Sequence, residues 1–235
     1  MESSIICGKH AVLLVCNNRN SDVLRVLIAD EKNINLFPKN LWSKIEVHNS
    51  TTLAKISSNS NGFICYAKPL KQINEHDLLA MKNIIALDCV QDVGNIGAIL
   101  RSAAAFGVEA VIYTCDKMPN IIENQTIAKL SSGGIELVKM CQVTNLHRTL
   151  QNLQKENFWI IGTDANGEDV SQISQQYSSS KKIVVFGNEE NGIKPSIRKT
   201  CDVFASIKIN PQIGSLNVSA AAAIVMWEMF GVKTK

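Results

Sequence analysis

The sequence predicts an α/β protein whose larger, C-terminal part contains a mostly parallel sheet with helices on both faces. From residue 83 onward, short apolar runs typical of buried strands alternate with segments whose apolar residues recur at helical spacing. Turns rich in glycine, asparagine and serine follow several of the predicted strands. Strands that alternate with helices favour a parallel sheet, because each crossover helix packs against a face of that sheet.

The composition is that of a globular protein with an ordinary core. The 235 residues are 46% hydrophobic, and no apolar stretch reaches the roughly 18 residues that a membrane span needs. The N-terminal residues MESSIICGKH lack the basic-then-apolar pattern of a signal peptide, so we expect a cytoplasmic protein without a membrane partner. Seven scattered cysteines without a C-x-x-C pair indicate neither a disulfide framework nor a metal site. The net charge of +3 permits a polyanionic partner without establishing one.

Residues 1–70 show a small α/β pattern without a catalytic cluster. The apolar run at residues 11–16 is compatible with a helix or with a buried strand. Strands are predicted at residues 23–30, 43–49 and 62–67. Residues 71–82 are polar and follow a proline, which predicts a linker that includes a first helical turn. The second unit then covers residues 83–235.

The predicted elements of the second unit alternate regularly. Apolar strands are predicted at residues 83–90, 109–114, 159–165, 182–187 and 205–209. Helices are predicted at residues 95–107, 125–138, 144–157 and 195–201 and after Gly214, the second of them interrupted at Gly133 and Gly134. Residues 171–182 are polar and are predicted to be a loop. Ligands bind such sheets at the carboxyl ends of the strands, so the turns found there are the candidate site.

The first of these turns, within residues 91–107, opens a helix with two glycines. Gly94 and Gly97 permit a tight turn, and Asn95 is a candidate cap for the helix. The spacing differs from the G-x-G-x-x-G of a dinucleotide site and the G-K-[ST] of a phosphate loop, which excludes both kinds of site. Arg101 lies one turn beyond Gly97 in an otherwise apolar helix. It is either a surface arginine with an exposed head or a group that binds an anion.

The second and third turns add carboxylates and apolar side chains. Gly187 ends a strand and is followed by Glu189 and Glu190, which either form a solvated turn or accept hydrogen bonds from a ligand or an arginine. Ile207 and Ile209 alternate along the last predicted strand, where they belong to the core or line a pocket.

The segment that follows joins polar side chains to an apolar helix. Ser215, Asn217 and Ser219 precede the run AAAAIVMWEMF, so polar atoms collect at a helix N-terminus. The first N–H groups of a helix have no internal partner and the helix dipole is positive there, which suits simple capping and also suits ligand oxygens. The apolar helix is compatible with burial in a dimer or within one chain.

These three segments, in this order and spacing, resemble the three motifs of the SpoU branch of the SPOUT superfamily, whose members are S-adenosylmethionine-dependent RNA ribose 2′-O-methyltransferases. The resemblance covers essentially the whole second unit. The pieces ICGKHAVLLVC and NGFICYAKPL also resemble the start and end of the small RNA-binding domain of the bacterial ribosomal-RNA members. The resemblance implies a deep trefoil knot in the C-terminal half and a homodimer in which both chains complete the site.

The resemblance also implies roles for eight positions. Backbone groups at Gly187, Ile207 and Leu216 would hold S-adenosylmethionine. Five side chains are associated with the reacting ribose, with the fold or with both: Asn95, Arg101, Glu189, Ser215 and Asn217.

This chain departs from the family pattern at three places. Val93 follows Asp92 where the family has Asp-Pro, Glu190 stands where a small residue is frequent, and Lys208 and Ile209 follow Ile207 where the family has Pro-Met. None of these departures removes a reacting group, so the expected activity is retained.

The implied reaction is methyl transfer to a ribose 2′-hydroxyl, with a guanosine of large-subunit (23S) ribosomal RNA as the expected target. The hydroxyl attacks the sulfonium methyl group and loses a proton. Because a guanidinium is a poor proton acceptor, we hypothesise that Arg101 grips an adjacent phosphate and stabilises alkoxide charge while phosphate or water takes the proton. Two alternatives stay open: a transfer-RNA substrate, and an RNA-binding protein that has lost methyl transfer.

Overall fold

The N-terminal unit is a small four-stranded sheet with two helices. The computed structural model describes residues 3–58 and 60–231. Within these residues the first unit consists of β1 (Ser4–Cys7), α1 (Lys9–Asn18), β2 (Val23–Ile28), β3 (Ile45–Val47), α2 (Ser50–Ile56) and β4 (Phe63–Ala67). The strand order is β1-β4-β2-β3, with β4 antiparallel to both neighbours and β2 parallel to β3. The three predicted strands are confirmed, and the run at residues 11–16 is helical.

The second unit is built on a six-stranded parallel sheet. Its strands are β5 (Asn83–Leu87), β6 (Ala110–Thr114), β7 (Lys139–Val143), β8 (Trp159–Asp169), β9 (Lys182–Phe186) and β10 (Val203–Ser206). Its helices are α3 (Val93–Ala105), α4 (Gln125–Leu130), α5 (Leu146–Lys155), α6 (Val170–Gln176), α7 (Pro195–Arg198) and α8 (Val218–Phe230). The strand order is β10-β8-β9-β5-β6-β7, and every pairing is parallel, which confirms the predicted sheet.

Helices cover both faces of this sheet, which explains why its inner strands are predominantly apolar. All residues of β6 and β9 are buried. One face packs against α3, α4, α6 and α8 through side chains such as Ile99, Ile127 and Val225. The other face packs against α5 and α7 through Leu150 and Ile197. None of the helices in the described ranges has the length and apolar composition to cross a membrane.

Strand β1 of the first unit was not predicted, and three segments of the second unit also differ from the sequence prediction. Residues 139–143 form the edge strand β7, which the prediction lacked because polar side chains interrupt its apolar pattern. Residues 170–176 form helix α6 where a polar loop was predicted, since Val170 and Ile173 are buried against the core. The last strand ends at Ser206, so the predicted strand at residues 205–209 is wrong beyond that point and Ile207 and Ile209 lie half-buried in a loop.

The two units are docked through the end of α1. The Arg19 guanidinium donates to Glu136 Oε2 at 2.6 Å and to the carbonyl oxygen of Lys68 at 2.7 Å. Gly133, with φ of +85°, lies against the same helix, where an added Cβ would come within 3.0 Å of the Ala11 Cα. Only glycine combines this left-handed backbone with so close an approach.

The connecting residues 71–82 pack on the second unit along their length. They contain a 3₁₀ turn at Glu75–Ala80, and Leu78 in this turn is buried in the core beneath α5. The Ile73 amide donates to the Met140 carbonyl oxygen at 3.0 Å. The segment therefore joins the two units without being a free tether.

Candidate active site

The candidate site lies where three loops meet at the carboxyl edge of the second sheet. The loops follow β5, β9 and β10, and the parallel pairing places all three strand ends on one edge. Helix α8 packs against α3, which brings the loop before α8 next to the start of α3. This edge is where ligands bind in open parallel sheets.

Three predicted side chains form one hydrogen-bonded network across these loops. The Asn95 amide donates from Nδ2 to Glu189 Oε1 at 2.9 Å, and Asn217 Nδ2 donates to Asn95 Oδ1 at 3.0 Å. The network joins residues that are 94 and 122 positions apart in the chain. Asn95 is half-buried, whereas Glu189 and Asn217 are exposed, so a substrate can reach the network.

The cap of α3 differs from the prediction. Asp92, and not Asn95, is the N-cap, because its Oδ1 accepts from the Asn95 backbone N–H at 2.7 Å. Asn95 was predicted to cap this helix, and that prediction is wrong. Because Asp92 caps α3, the side-chain amide of Asn95 is available to hydrogen-bond both Glu189 and Asn217.

Helix α8 begins as the sequence predicts. Asn217 Oδ1 accepts from the backbone N–H groups of Ser219 at 2.8 Å and Ala220 at 3.4 Å. Asn217 therefore has two functions, since its oxygen caps α8 while its nitrogen holds Asn95. Ser215 is exposed, and its side chain forms no hydrogen bond to any residue in the described ranges.

The turn after β9 is rigid and crowded. Asn188 and Gly192 exchange backbone hydrogen bonds of 3.0 and 2.9 Å, and Asn188 Oδ1 accepts from the Glu190 amide at 3.0 Å. A Cβ added to Gly187 would lie 2.3 Å from the Gly192 carbonyl carbon. Glycine is therefore required at Gly187, and the turn fixes the direction of Glu189.

Sequence analysis missed two residues that hold this turn. Asn188 Nδ2 donates to the Cys89 carbonyl oxygen at 3.0 Å, which ties the turn after β9 to the end of β5. Asp88 is buried, and its carboxylate accepts from the Lys194 backbone N–H at 2.7 Å. Burial raises the pKa of Asp88 above the ordinary value. The sequence contained a signal for Asp88, because this acidic residue directly follows a buried strand that is almost entirely apolar.

The loop after β10 carries the two other positions expected to hold a methyl donor. Ile207 and Leu216 are half-buried, and Ile207 packs against the main core cluster. Across residues 3–58 and 60–231, their backbone N–H and C=O groups form no hydrogen bond outside regular elements. Backbone groups without an internal partner bind water or a ligand. An apolar wall beside free backbone donors and acceptors fits a purine ring and its polar edge.

Arg101 does not join the network of its own chain. It lies six residues beyond Asn95 on α3, which corresponds to about 9 Å along the helix and roughly 240° around it. Its Cα is on the side of Gly134, where an added Cβ would lie 3.0 Å from it. The Arg101 side chain is exposed and forms no hydrogen bond or ion pair with any described residue. Within one chain, Arg101 therefore takes no part in the hydrogen bonds that join Asn95, Glu189 and Asn217.

A cavity of about 560 Å³ borders Glu189. It opens between the loops after β5, β6 and β9, and neither Gly187, Ile207 nor Leu216 lines it. We call it the lateral cavity; its other lining residues are Cys89, Gln91, Asp92, Lys117, Asn188, Glu190, Asn191, Gly192, Lys194 and Pro195. No group of His, Cys, Asp and Glu suited to a metal ion occurs among the residues that the structure describes.

Several proteins with sequences similar to this chain are named as RNA methyltransferases. A Vibrio vulnificus protein named 23S rRNA (guanosine-2′-O-)-methyltransferase RlmB is 38% identical over 177 residues, which cover 73% of this chain and 70% of the relative. The Escherichia coli K12 protein of the same name is 39% identical over 173 residues, covering 71% and 70%. A Staphylococcus epidermidis protein named for the TrmH family of tRNA/rRNA methyltransferases is 31% identical over 245 residues, covering 98% and 96%.

Solved structures show the same fold. The AdoMet-bound rRNA methyltransferase from Sinorhizobium meliloti superposes with a TM-score of 0.78 at 19% identity, covering 97% of this chain and 86% of that one. AviRb from Streptomyces viridochromogenes, a SpoU methyltransferase solved with AdoMet, gives 0.75 at 18% identity, covering 97% and 89%. The sequence model of the SpoU rRNA Methylase family matches residues 82–227. The chain therefore belongs to the SpoU rRNA methylase family.

Proposed function

We propose that this protein is an S-adenosylmethionine-dependent RNA methyltransferase that modifies the ribose 2′-hydroxyl of a guanosine in 23S rRNA. The observation that carries the proposal is the network of Asn95, Glu189 and Asn217 at the carboxyl edge of the sheet, in a chain of this family. The names of the relatives at 38% and 39% identity support the substrate. Such a substrate places the enzyme in the cytoplasm.

We propose that the donor binds between the turn after β9 and the loop after β10. The backbone at Gly187, Ile207 and Leu216 would hold it, because that backbone combines a close crossing at Gly187 with free polar groups and an apolar wall at Ile207. When bound, S-adenosylmethionine supplies an electrophilic methyl carbon. Two solved structures with the same fold carry AdoMet in their names, which supports this cofactor.

The network would orient the ribose and handle charge during the transfer. The Glu189 carboxylate accepts hydrogen bonds and is held by Asn95, so it can receive one from a ribose hydroxyl. Ser215 is an exposed hydroxyl two residues before the cap of α8 and would hydrogen-bond the RNA at the same edge. A hydroxyl held by a fixed acceptor is positioned for attack, which lowers the entropic part of the barrier.

Arg101 would act on the site of a partner subunit in a homodimer. Its guanidinium is exposed and has no partner in residues 3–58 and 60–231, and it lies on a different face of α3 from Asn95. The C-terminal helix α8 also exposes Ile224 at 39% and Trp227 at 47%, and Phe106 packs edge-on against Trp227 at 5.8 Å. An apolar face next to an unpaired arginine supports a dimer that delivers Arg101 to bound RNA.

A trefoil knot in the second unit is part of the same proposal. β10 lies at one edge of the sheet, whereas α8 packs against α3 beside β5. The chain must therefore return across the ends of β8 and β9, past the turn that Asn188 closes with Gly192. This return path supports the knot, which general folding rules make rare.

We assign RNA recognition outside the reacting nucleotide to residues 1–70. Residues 71–82 connect this unit to the methyltransferase unit at residues 83–235. The docking of Arg19 onto Glu136 supports a fixed orientation of the two units.

The direct test is incubation of the purified protein with labelled S-adenosylmethionine and separate 23S, 16S and transfer RNAs. Nucleoside mapping is expected to find 2′-O-methylguanosine in 23S rRNA. Label confined to transfer RNA would support the alternative substrate, which the Staphylococcus epidermidis name includes. Absence of label together with absence of donor binding by calorimetry would reject the methyltransferase proposal.

A pair of matched arginine variants tests Arg101. Arg101→Lys is expected to lower kcat about a hundredfold with unchanged donor affinity, because lysine cannot grip a phosphate with two parallel hydrogen bonds. Arg148→Lys, which changes an exposed arginine on α5, is the control and should keep full turnover. Near-normal turnover of Arg101→Lys would contradict the proposed phosphate grip.

A further inference from the structure

We propose that the lateral cavity receives the base of the target nucleotide and reads it as guanine, with Glu190 and Lys117 as the specificity-determining residues. The inference rests on the proposed function and adds to it the residues that select the base. Family resemblance does not supply it, since Glu190 is one of the places where this chain departs from the family pattern.

The position of the lateral cavity suits the base of a nucleotide whose ribose lies at the network. Glu189 lines the cavity and at the same time accepts from Asn95 in the network. Ile207 and Leu216, in the loop expected to bind the donor, do not line the cavity, so the base and the donor would not compete for the same space. A ribose at the network would therefore have its base within reach of this cavity. The cavity volume of about 560 Å³ is within the range of small-ligand pockets.

The cavity contains one carboxylate and one ammonium group that have no protein partner. Glu190 and Lys117 both line it, both residues are exposed, and neither side chain forms a hydrogen bond or ion pair with the residues described. The second lysine in the wall, Lys194, is different, because it pairs with Asp116 at 3.2 Å. Glu190 and Lys117 are therefore the charged groups available to a ligand.

The backbone on both sides of the cavity is fixed before any ligand arrives. Asn188 Oδ1 accepts from the amides of Glu190 at 3.0 Å and Asn191 at 3.2 Å, which sets the turn that carries Glu190. Two further lining residues, Cys89 and Lys117, both have φ of +58°, a conformation that residues other than glycine rarely adopt. Rare backbone conformations of this kind are kept where the surrounding structure holds them, frequently beside a functional site.

The hydrogen-bonding groups of Glu190 and Lys117 complement those of guanine and do not complement those of adenine. Guanine presents two neighbouring donors, N1–H and the 2-amino group, and the acceptors O6 and N7. A carboxylate only accepts and an ammonium only donates, so Glu190 fits the donor edge and Lys117 fits O6, the acceptor that adenine lacks. Adenine has an acceptor at N1 and a donor at its 6-amino group, which would face groups of the same kind. RNA-binding proteins read unpaired bases through these edges.

The first measurement is binding of the single nucleotides GMP, IMP and AMP, followed by NMR shifts of the Glu190 and Gly192 amides. The wild-type protein is expected to prefer GMP to AMP by about ten- to a hundredfold, the discrimination of one two-bond base contact. IMP, which lacks the 2-amino group, should bind with intermediate affinity. Equal affinity for GMP and AMP, or shifts that leave the Glu190 turn unchanged, would overturn the proposal.

Variants then assign the preference to the two side chains. Glu190→Gln and Lys117→Met should each reduce the preference for GMP at least tenfold without changing the affinity for S-adenosylmethionine. Glu156→Gln removes an exposed glutamate far from the cavity wall and should leave the preference intact. A wild-type preference in Glu190→Gln would refute the role of this carboxylate.

RNA methylation separates this inference from the proposed function. The RNA fragment mapped in the methylation experiment is synthesised with guanosine, inosine or adenosine at the target position, and kcat/KM should fall in that order. Equal kcat/KM values for the guanosine, inosine and adenosine fragments in an active enzyme would refute the base pocket and leave the methyltransferase assignment standing. GMP preference without methylation of any RNA and without donor binding refutes the methyltransferase assignment and leaves the pocket standing.

Discussion

The ion pair between Arg19 and Glu136 gives a quantitative test of how the two units are joined. The exposed side-chain fractions are 14% for Arg19 and 7% for Glu136, and the N–O distance is 2.6 Å. Glu136 has no other side-chain partner among the residues that the structure describes. Arg19→Ala therefore leaves a nearly buried carboxylate without a partner, which costs about 3 to 5 kcal/mol of unfolding free energy. For a chain of 235 residues this corresponds to a fall in Tm of roughly 10 °C.

The assay is thermal unfolding by calorimetry, with a double variant as the control. Arg19→Met combined with Glu136→Leu removes both charges and keeps similar volumes, so its unfolding free energy should stay within about 1 kcal/mol of the wild type. Asp22 accepts a hydrogen bond of 3.2 Å from Arg19 and is more exposed than Glu136, so removal of the Asp22 carboxylate should lower the unfolding free energy less. A decrease below about 1 kcal/mol for Arg19→Ala would refute the argument that this pair is desolvated and holds the units together.

Three further variants test the site. Gly187→Ala should abolish measurable donor binding in calorimetry, since its Cβ would lie 2.3 Å from the facing turn, whereas Gly214→Ala, with no atom within 4 Å of its Cβ, should bind normally. Asn217→Asp keeps the cap of α8 and should stay within about 0.5 kcal/mol of wild-type stability. It cannot donate to Asn95, so kcat should fall at least tenfold, and full activity would contradict the network. Asp88 has a pKa raised by burial, so its contribution to stability is present below about pH 4 and is lost as the pH rises through the folded pKa. The Tm of Asp88→Asn relative to wild type should therefore increase from pH 4 to pH 7. A difference that stays constant with pH would show that ionisation of the Asp88 carboxyl does not lower the stability of the folded protein.

Features that depend on nearby residues were predicted correctly from the sequence, whereas features that depend on distant contacts were not. The alternation of strands and helices, the start of α7 at Pro195 and the cap of α8 at Asn217 follow from contacts within a few residues, and the sequence predicts them correctly. Helix α6 and strand β7 were mispredicted because their form depends on burial against distant elements, which local polarity does not reveal.

The amino-acid sequence by itself determined the parallel α/β class and the three motifs that identify the family, because periodicity, turns and caps are local properties. Tertiary structure decided which side chains meet. The same amide that sequence assigned to a helix cap, Asn95, instead links Glu189 to Asn217, because Asp92 takes the cap and α8 docks on α3. Arg101 was grouped with these residues by motif, yet helix geometry turns it to another face of α3. Sheet order and helix packing are sums over many distant contacts, and for that reason they fix the site only in the folded chain.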